Sequence, residues 1–191
     1  MSVLTIDTAS AALVLVDLQR GIVAGSLAPH ASSDVVARAA EVAAAFRSRG
    51  ALVVLVRVDP GARGELFPRP QADNPRPPFT ITPEWTELVP ELNHQASDVV
   101  VTKHQPNAFY CTDLEVHLTR RGIRTIVLAG IATNLGVEAT ARAAFERGYE
   151  QIFVSDALTA RAEILHVHSV THILPTMGRV RTAAEIIAAL T

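Results

Sequence analysis

Five short apolar runs recur along this 191-residue chain, and between them lie segments with helix start and stop signals. The runs are Leu13-Val-Leu-Val16, Leu52-Val-Val-Leu-Val56, Val99-Val-Val101, Ile126-Val-Leu128 and Ile152-Phe-Val154. None alternates apolar with polar residues, as a strand with one wet face does. Unalternating β-branched runs belong to strands covered on both faces, the situation of a parallel sheet flanked by helices. The intervening segments fit that reading. One opens at Ser32-Ser33-Asp34 and stops at Gly50; a second opens on a capping-box pattern, Thr112-Asp-Leu-Glu115, and ends near Gly122. Thr133 is placed to cap a third that runs to Gly148, and Thr182-Ala-Ala-Glu185 is a further capping box leading the C-terminal helix. Strand–helix alternation predicts right-handed βαβ units in a three-layer αβα architecture with a doubly wound, mainly parallel sheet.

Composition narrows the function. At 49% hydrophobic and 19% charged residues, the chain has the balance of a globular protein with one buried core. A formal net charge of −2 with no Lys/Arg cluster argues against a nucleic-acid surface. The early apolar stretch is bounded by Asp7 and Asp17, too short to span a membrane and without the basic start of a signal peptide. The lone cysteine, Cys111, excludes an internal disulfide. A cytoplasmic protein with a small-molecule substrate is expected. One Pro-, Gly- and Arg-rich stretch, from Asp59 to about Thr82, interrupts the alternation; loops of that length are usually functional or form oligomer contacts. No linker or internal repeat is visible, so residues 1–191 read as one domain.

Ligands of open parallel sheets bind beyond the carboxyl ends of the strands. Three such ends carry chemistry here: Asp17 in Val16-Asp17-Leu-Gln19, Lys103 after Val99-Val-Val-Thr102, and the turn Gly130-Ile-Ala-Thr-Asn-Leu-Gly136. Alone, such an Asp is commonly a turn residue and such a Lys is commonly solvated. Brought to one cleft, Lys103 would hold Asp17 ionised, or a more buried Asp17 would stay protonated and serve as an acid.

These three landmarks, with Ala108-Phe-Tyr-Cys-Thr-Asp-Leu114, Ser155-Asp-Ala157 and Pro175-Thr-Met-Gly178, resemble the isochorismatase-like cysteine hydrolases over nearly the whole chain. That family has a Rossmann-like topology and a catalytic Asp, Lys and Cys. The resemblance assigns Asp17 and Lys103 to the first two and puts Gly136 at the cysteine's place. It further implies a non-proline cis peptide at Ile131–Ala132, backbone donors at Ala132 and Gly136 that form an anion hole, and a homo-oligomer. No cofactor is implied. Glycine has no side chain, so covalent catalysis at position 136 is excluded. Two readings follow. One is hydrolysis with Asp17 as general acid/base, as in isochorismatases, which are similar in carrying glycine here and cleave a vinyl ether. The other is a catalytically silent scaffold that binds a small molecule or acts through assembly. Isochorismatases carry Tyr where this chain has Ala132 and Arg where it has Gln105, which counts against isochorismate itself.

Further candidates surround these positions. Gln19, Ile131, Asn107, Phe109 and Tyr110 are expected to line the cleft. Trp85 and Phe79 are aromatics for its wall or for packing, and Arg63, Arg69 and Arg76 are loop cations. Cys111 is either a small half-buried residue or, at a helix start, a reactive thiol. His166, His168 and His172 include an i,i+4 pair with metal-compatible spacing, but no carboxylate pattern accompanies it, and no metal is expected.

Overall fold

The computed structural model describes residues 4–61, 64–67, 71–73 and 81–191. Six strands form one all-parallel sheet: β1 (Ala11–Val16), β2 (Leu52–Val58), β3 (Val99–Lys103), β4 (Thr125–Ile131), β5 (Glu150–Thr159) and β6 (Arg179–Arg181). Their spatial order is β3-β2-β1-β4-β5-β6, so the chain winds outward from β1 in one direction and from β4 in the other. The helices are α1 (Arg20–Val23), α2 (Ser32–Ser48), α3 (Leu114–Arg120), α4 (Glu138–Glu146), α5 (Glu163–His168) and α6 (Ala183–Ala189).

The unalternating runs are explained by a core on each face. Leu13 and Leu15 of β1 pack with Val35, Val42 and Phe46 of α2 and Ile186 of α6. Val14 and Val16, on the opposite side of the same strand, pack with Leu114 and Leu118 of α3 and Ala141 of α4. Every residue of β1 is buried, which is what a central parallel strand between two helical layers requires.

Three local expectations are corrected. The Thr112 capping box does not form: Asp113 is the cap residue, outside the extended conformation (φ −92°, ψ 7°), and the Thr112 hydroxyl donates to the Ala108 carbonyl and accepts from the Leu114 N–H at 3.3 Å rather than pairing with Glu115. Thr133 does not cap its helix; Ala132 holds the extended cap position, and Thr133 is the first residue of a wide π-type turn, Thr133–Val137, that leads into α4. The sixth strand is additional to the five apolar runs. By contrast, the Thr182 capping box is complete, with the Glu185 N–H on the Thr182 hydroxyl and the Glu185 carboxylate accepting from the Thr182 N–H. The described parts of the stretch from Asp59 to Thr82 hold no helix or strand. Phe79, Arg63, Arg69 and Arg76 lie outside the described residues.

Candidate active site

The winding reverses between β1 and β4, and the crevice at their carboxyl ends is where an open parallel sheet binds ligands. Asp17 is the residue that follows β1. Its backbone turns sharply there (φ 56°), while its N–H still pairs with the Val56 carbonyl of β2. Lys103 ends β3, two strands away, and its side chain runs across the end of β2. Nζ donates to Asp17 Oδ2 at 2.7 Å. Both are almost fully buried, with 6% and 1% of their surface exposed. Asp17 Oδ1 has no hydrogen-bond partner among the described residues.

This environment sets the acidity of Asp17. Burial pushes its pKa up, and the Lys103 charge and hydrogen bond pull it back, leaving it at about 6. A carboxyl in that range exchanges its proton near neutral pH, which suits acid–base work.

The third strand end completes the crevice. Gly130 pairs with Val16 across β1 and β4, and its φ of 126° is a glycine conformation; a Cβ there would run into the Val16 carbonyl. The backbone leading to Asp17 and the backbone leading to the turn therefore lie in direct contact. The Ile131–Ala132 peptide is cis, at the position expected. At Gly136, a Cβ would stand 3.1 Å from Asp17 Oδ2 and 3.2 Å from Val16 Cγ1. Residue 136 thus abuts the Asp17–Lys103 pair directly.

Behind the turn lies a second polar cluster. The Thr133 hydroxyl donates to the Thr159 carbonyl at 3.0 Å, which leaves its oxygen to accept from His166 Nδ1 at 2.9 Å. Burial, with the neighbouring His30, depresses the His166 pKa to about 4, so this imidazole stays neutral. His166 is thereby a packing residue of the turn. His168 and His172 face each other with ring centroids 5.6 Å apart. Among the described residues, no group of three or more His, Cys, Asp or Glu is arranged to hold a metal.

A cavity of about 620 Å³ opens onto Asp17, Lys103, Ile131, Ala132 and Gly136. Trp85 and Phe67 contribute aromatic wall, so the irregular stretch after β2 reaches the site. Trp85 lies against Gly21 of α1, where any Cβ would collide with the indole. Gln105, Asn134 and Arg161 bring polar groups to the same space, and Leu165 and Leu27 bring apolar ones.

Four expected lining residues lie elsewhere, each for a physical reason. Gln19 is fully buried and spends its amide on backbone: Nε2 donates to the Val58 and Thr86 carbonyls, and Oε1 accepts from the Val58 N–H. Asn107 Oδ1 accepts from the Phe109 N–H, closing a local turn. Phe109 packs under the Arg147 guanidinium and beside Tyr149, in the core of the α3/α4 face. Tyr110 projects into solvent, 59% exposed. Cys111 is exposed, in a left-handed conformation (φ 52°), and does not line the cavity. Arg161 was invisible to sequence reasoning because it sits in no motif; only its place just past the carboxyl end of β5 marks it.

This strand-end geometry has a counterpart in known proteins. Residues 11–185 match the isochorismatase domain. The chain belongs to the isochorismatase family of hydrolases. This isochorismatase-family chain is 42% identical to the uncharacterized isochorismatase family protein YecD of Escherichia coli O157:H7, over 98% of this chain and 100% of that one. It is 32% identical to the ureidoacrylate amidohydrolase RutB of Methylobacterium radiotolerans, over 98% of this chain and 82% of that one. In three dimensions it is similar to an isochorismatase family protein from Burkholderia thailandensis, with a TM-score of 0.93 and 45% identity; 98% of each chain is covered. No helix among the described residues is long and apolar enough to cross a membrane.

Proposed function

We propose that this family member hydrolyses a small molecule directly, with Asp17 as general acid/base and without a covalent intermediate at position 136. The observation that carries the reading is the contact between that position and the buried pair: a side chain at 136 would touch Asp17 Oδ2, and glycine supplies none. On this reading Gly136 stands where relatives of the cysteine branch carry their nucleophile. The groups left at the reacting centre are a carboxyl of pKa about 6, an ammonium and the backbone N–H groups of Ala132 and Gly136.

Vinyl-ether hydrolysis is the reaction class that fits this set. Protonated Asp17 delivers its proton to the terminal carbon of the C=C–O unit, and positive charge develops on the ether carbon and oxygen. Lys103 stabilises the carboxylate that Asp17 becomes. Water adds to the cationic carbon and returns a proton to Asp17. The resulting hemiketal collapses to a carbonyl compound and an alcohol, so one water is consumed per bond cleaved. The Ala132 and Gly136 amides hold an anionic oxygen of the substrate. The exposed apolar side chains of α5, Ile164 and Val167, support a homo-oligomer as part of the same proposal.

Asp17→Asn tests the reading. With a panel of vinyl ethers, turnover by the wild type should fall by about 10²–10⁴ in the variant, the usual worth of a positioned acid. Circular dichroism and a melting curve establish that the variant is folded. A folded Asp17→Asn protein retaining wild-type turnover sinks the mechanism, and a wild type inert to the panel favours the silent scaffold.

A further inference from the structure

Among the described residues, the ionisable side chains lining the cavity are Asp17, Lys103 and Arg161. The first two neutralise each other through their 2.7 Å ion pair. Arg161 is exposed and has neither an ion pair nor a hydrogen bond from its side chain among the described residues. Among the described residues no second carboxylate lines the space, so their side chains leave one uncompensated positive charge there. When Asp17 takes up its proton the excess grows by one more. A cleft with low-dielectric walls and one sign of charge concentrates ligands of the opposite sign. A guanidinium with its donors free is suited to bidentate binding of a planar carboxylate.

The placement of Arg161 sets how a ligand would span the site. It follows β5, which lies two strands from β1, and neighbouring strands are about 4.8 Å apart. The end of β5, two residues before Arg161, is thus roughly 10 Å from the end of β1 at Asp17 across the crevice. The same cavity is lined by the apolar side chains of Ile22, Leu27, Trp85 and Leu165.

We propose that Arg161 is the carboxylate anchor of this cavity, and that its substrate class is a small carboxylate with an apolar body, held with the reacting atom toward Asp17. The inference rests on the cavity being the substrate site and not on which bond is broken there.

A binding experiment tests the anchor apart from any turnover. Trp85 is the one tryptophan of the sequence and lines the cavity, so its fluorescence reports occupancy. The probes are 3-phenylpropionate and its neutral amide, 3-phenylpropionamide, at pH 7.5 and low salt. The acid should bind the wild type at least about tenfold more tightly than the amide, as expected of a charge-assisted pair. Arg161→Met should remove that preference while leaving amide binding within twofold, and Arg161→Lys should restore part of it. Equal binding of acid and amide to the wild type, binding of neither, or a preference that survives in Arg161→Met overturns the assignment. Neither probe carries the vinyl-ether unit on which the Asp17 mechanism acts and the readout is binding, so failure of that mechanism and failure of the anchor give different results.

Discussion

Replacing Lys103 with methionine separates the two influences on Asp17. Methionine has nearly the length of the lysine stem, so the buried volume is kept while the charge and its hydrogen bond are lost. In the wild type those two effects oppose burial and hold the carboxyl at about 6. At that value about one tenth of Asp17 molecules are protonated at pH 7. An opposite charge in contact is worth about 1–3 pH units, so Lys103→Met should lift Asp17 to 7 or above. If the protonated form is the active one, the rate is flat below the pKa and falls tenfold per pH unit above it. The descending limb of kcat/KM, which reports the free enzyme, should move from about 6 toward alkaline pH by the same interval. At pH 7 the variant should run at more than about half of its own acid plateau, against about one tenth for the wild type. The assay is initial rate on a vinyl ether from pH 4.5 to 9, each protein normalised to its own plateau, so any loss of substrate binding through Lys103 cancels. A limb that stays near 6 or shifts to acid pH refutes the electrostatic argument. A profile that rises with pH refutes the role of Asp17 as acid and makes it a base.

Two further outcomes follow from the same geometry. Gly136→Ala places a methyl group within 3.1 Å of Asp17 Oδ2 and 3.2 Å of Val16 Cγ1; this crowding costs about 1–3 kcal/mol, offset by about 1 kcal/mol of helix propensity, so urea melts should show a net loss of about 1 kcal/mol. A stabilised variant would mean that Asp17 yields without cost. Alkylating Cys111 with iodoacetamide should leave turnover unchanged, because this exposed residue stands outside the cavity; inactivation in proportion to labelling would show otherwise.

Much of the architecture was legible because it depends on burial on both faces. Each of the five apolar runs lies within a strand, and the doubly wound order brings Asp17, Lys103 and Gly136 to one crevice. β6 escaped because a three-residue edge strand with arginine at both ends has only Val180 to signal it. Capping patterns predicted correctly where the chain entered in an extended conformation, at Thr182, and misled at Thr112, where the following residue does not. Site membership was harder. Gln19, Asn107, Phe109 and Tyr110 are near Asp17 or Lys103 in sequence, yet backbone hydrogen bonds, the α3/α4 core and solvent claim them. Arg161 belongs to the site through the arrangement of strands alone, which no local pattern encodes.

Glycine at 136 also has a consequence for timing. An enzyme with a thiol there works in two rounds: the leaving group departs first, and water then enters the space it leaves. Direct hydrolysis allows no such interval. On that reading the attacking water must share the site with the whole substrate, before the C–O bond breaks and the leaving group departs. If the proposed direct hydrolysis holds, the cavity of about 620 Å³ must exceed the substrate by at least one water, whose share of liquid volume is about 30 Å³. A compound that fits snugly against Gly136, with no room left beside Asp17, would for that reason act as an inhibitor however labile its own bonds.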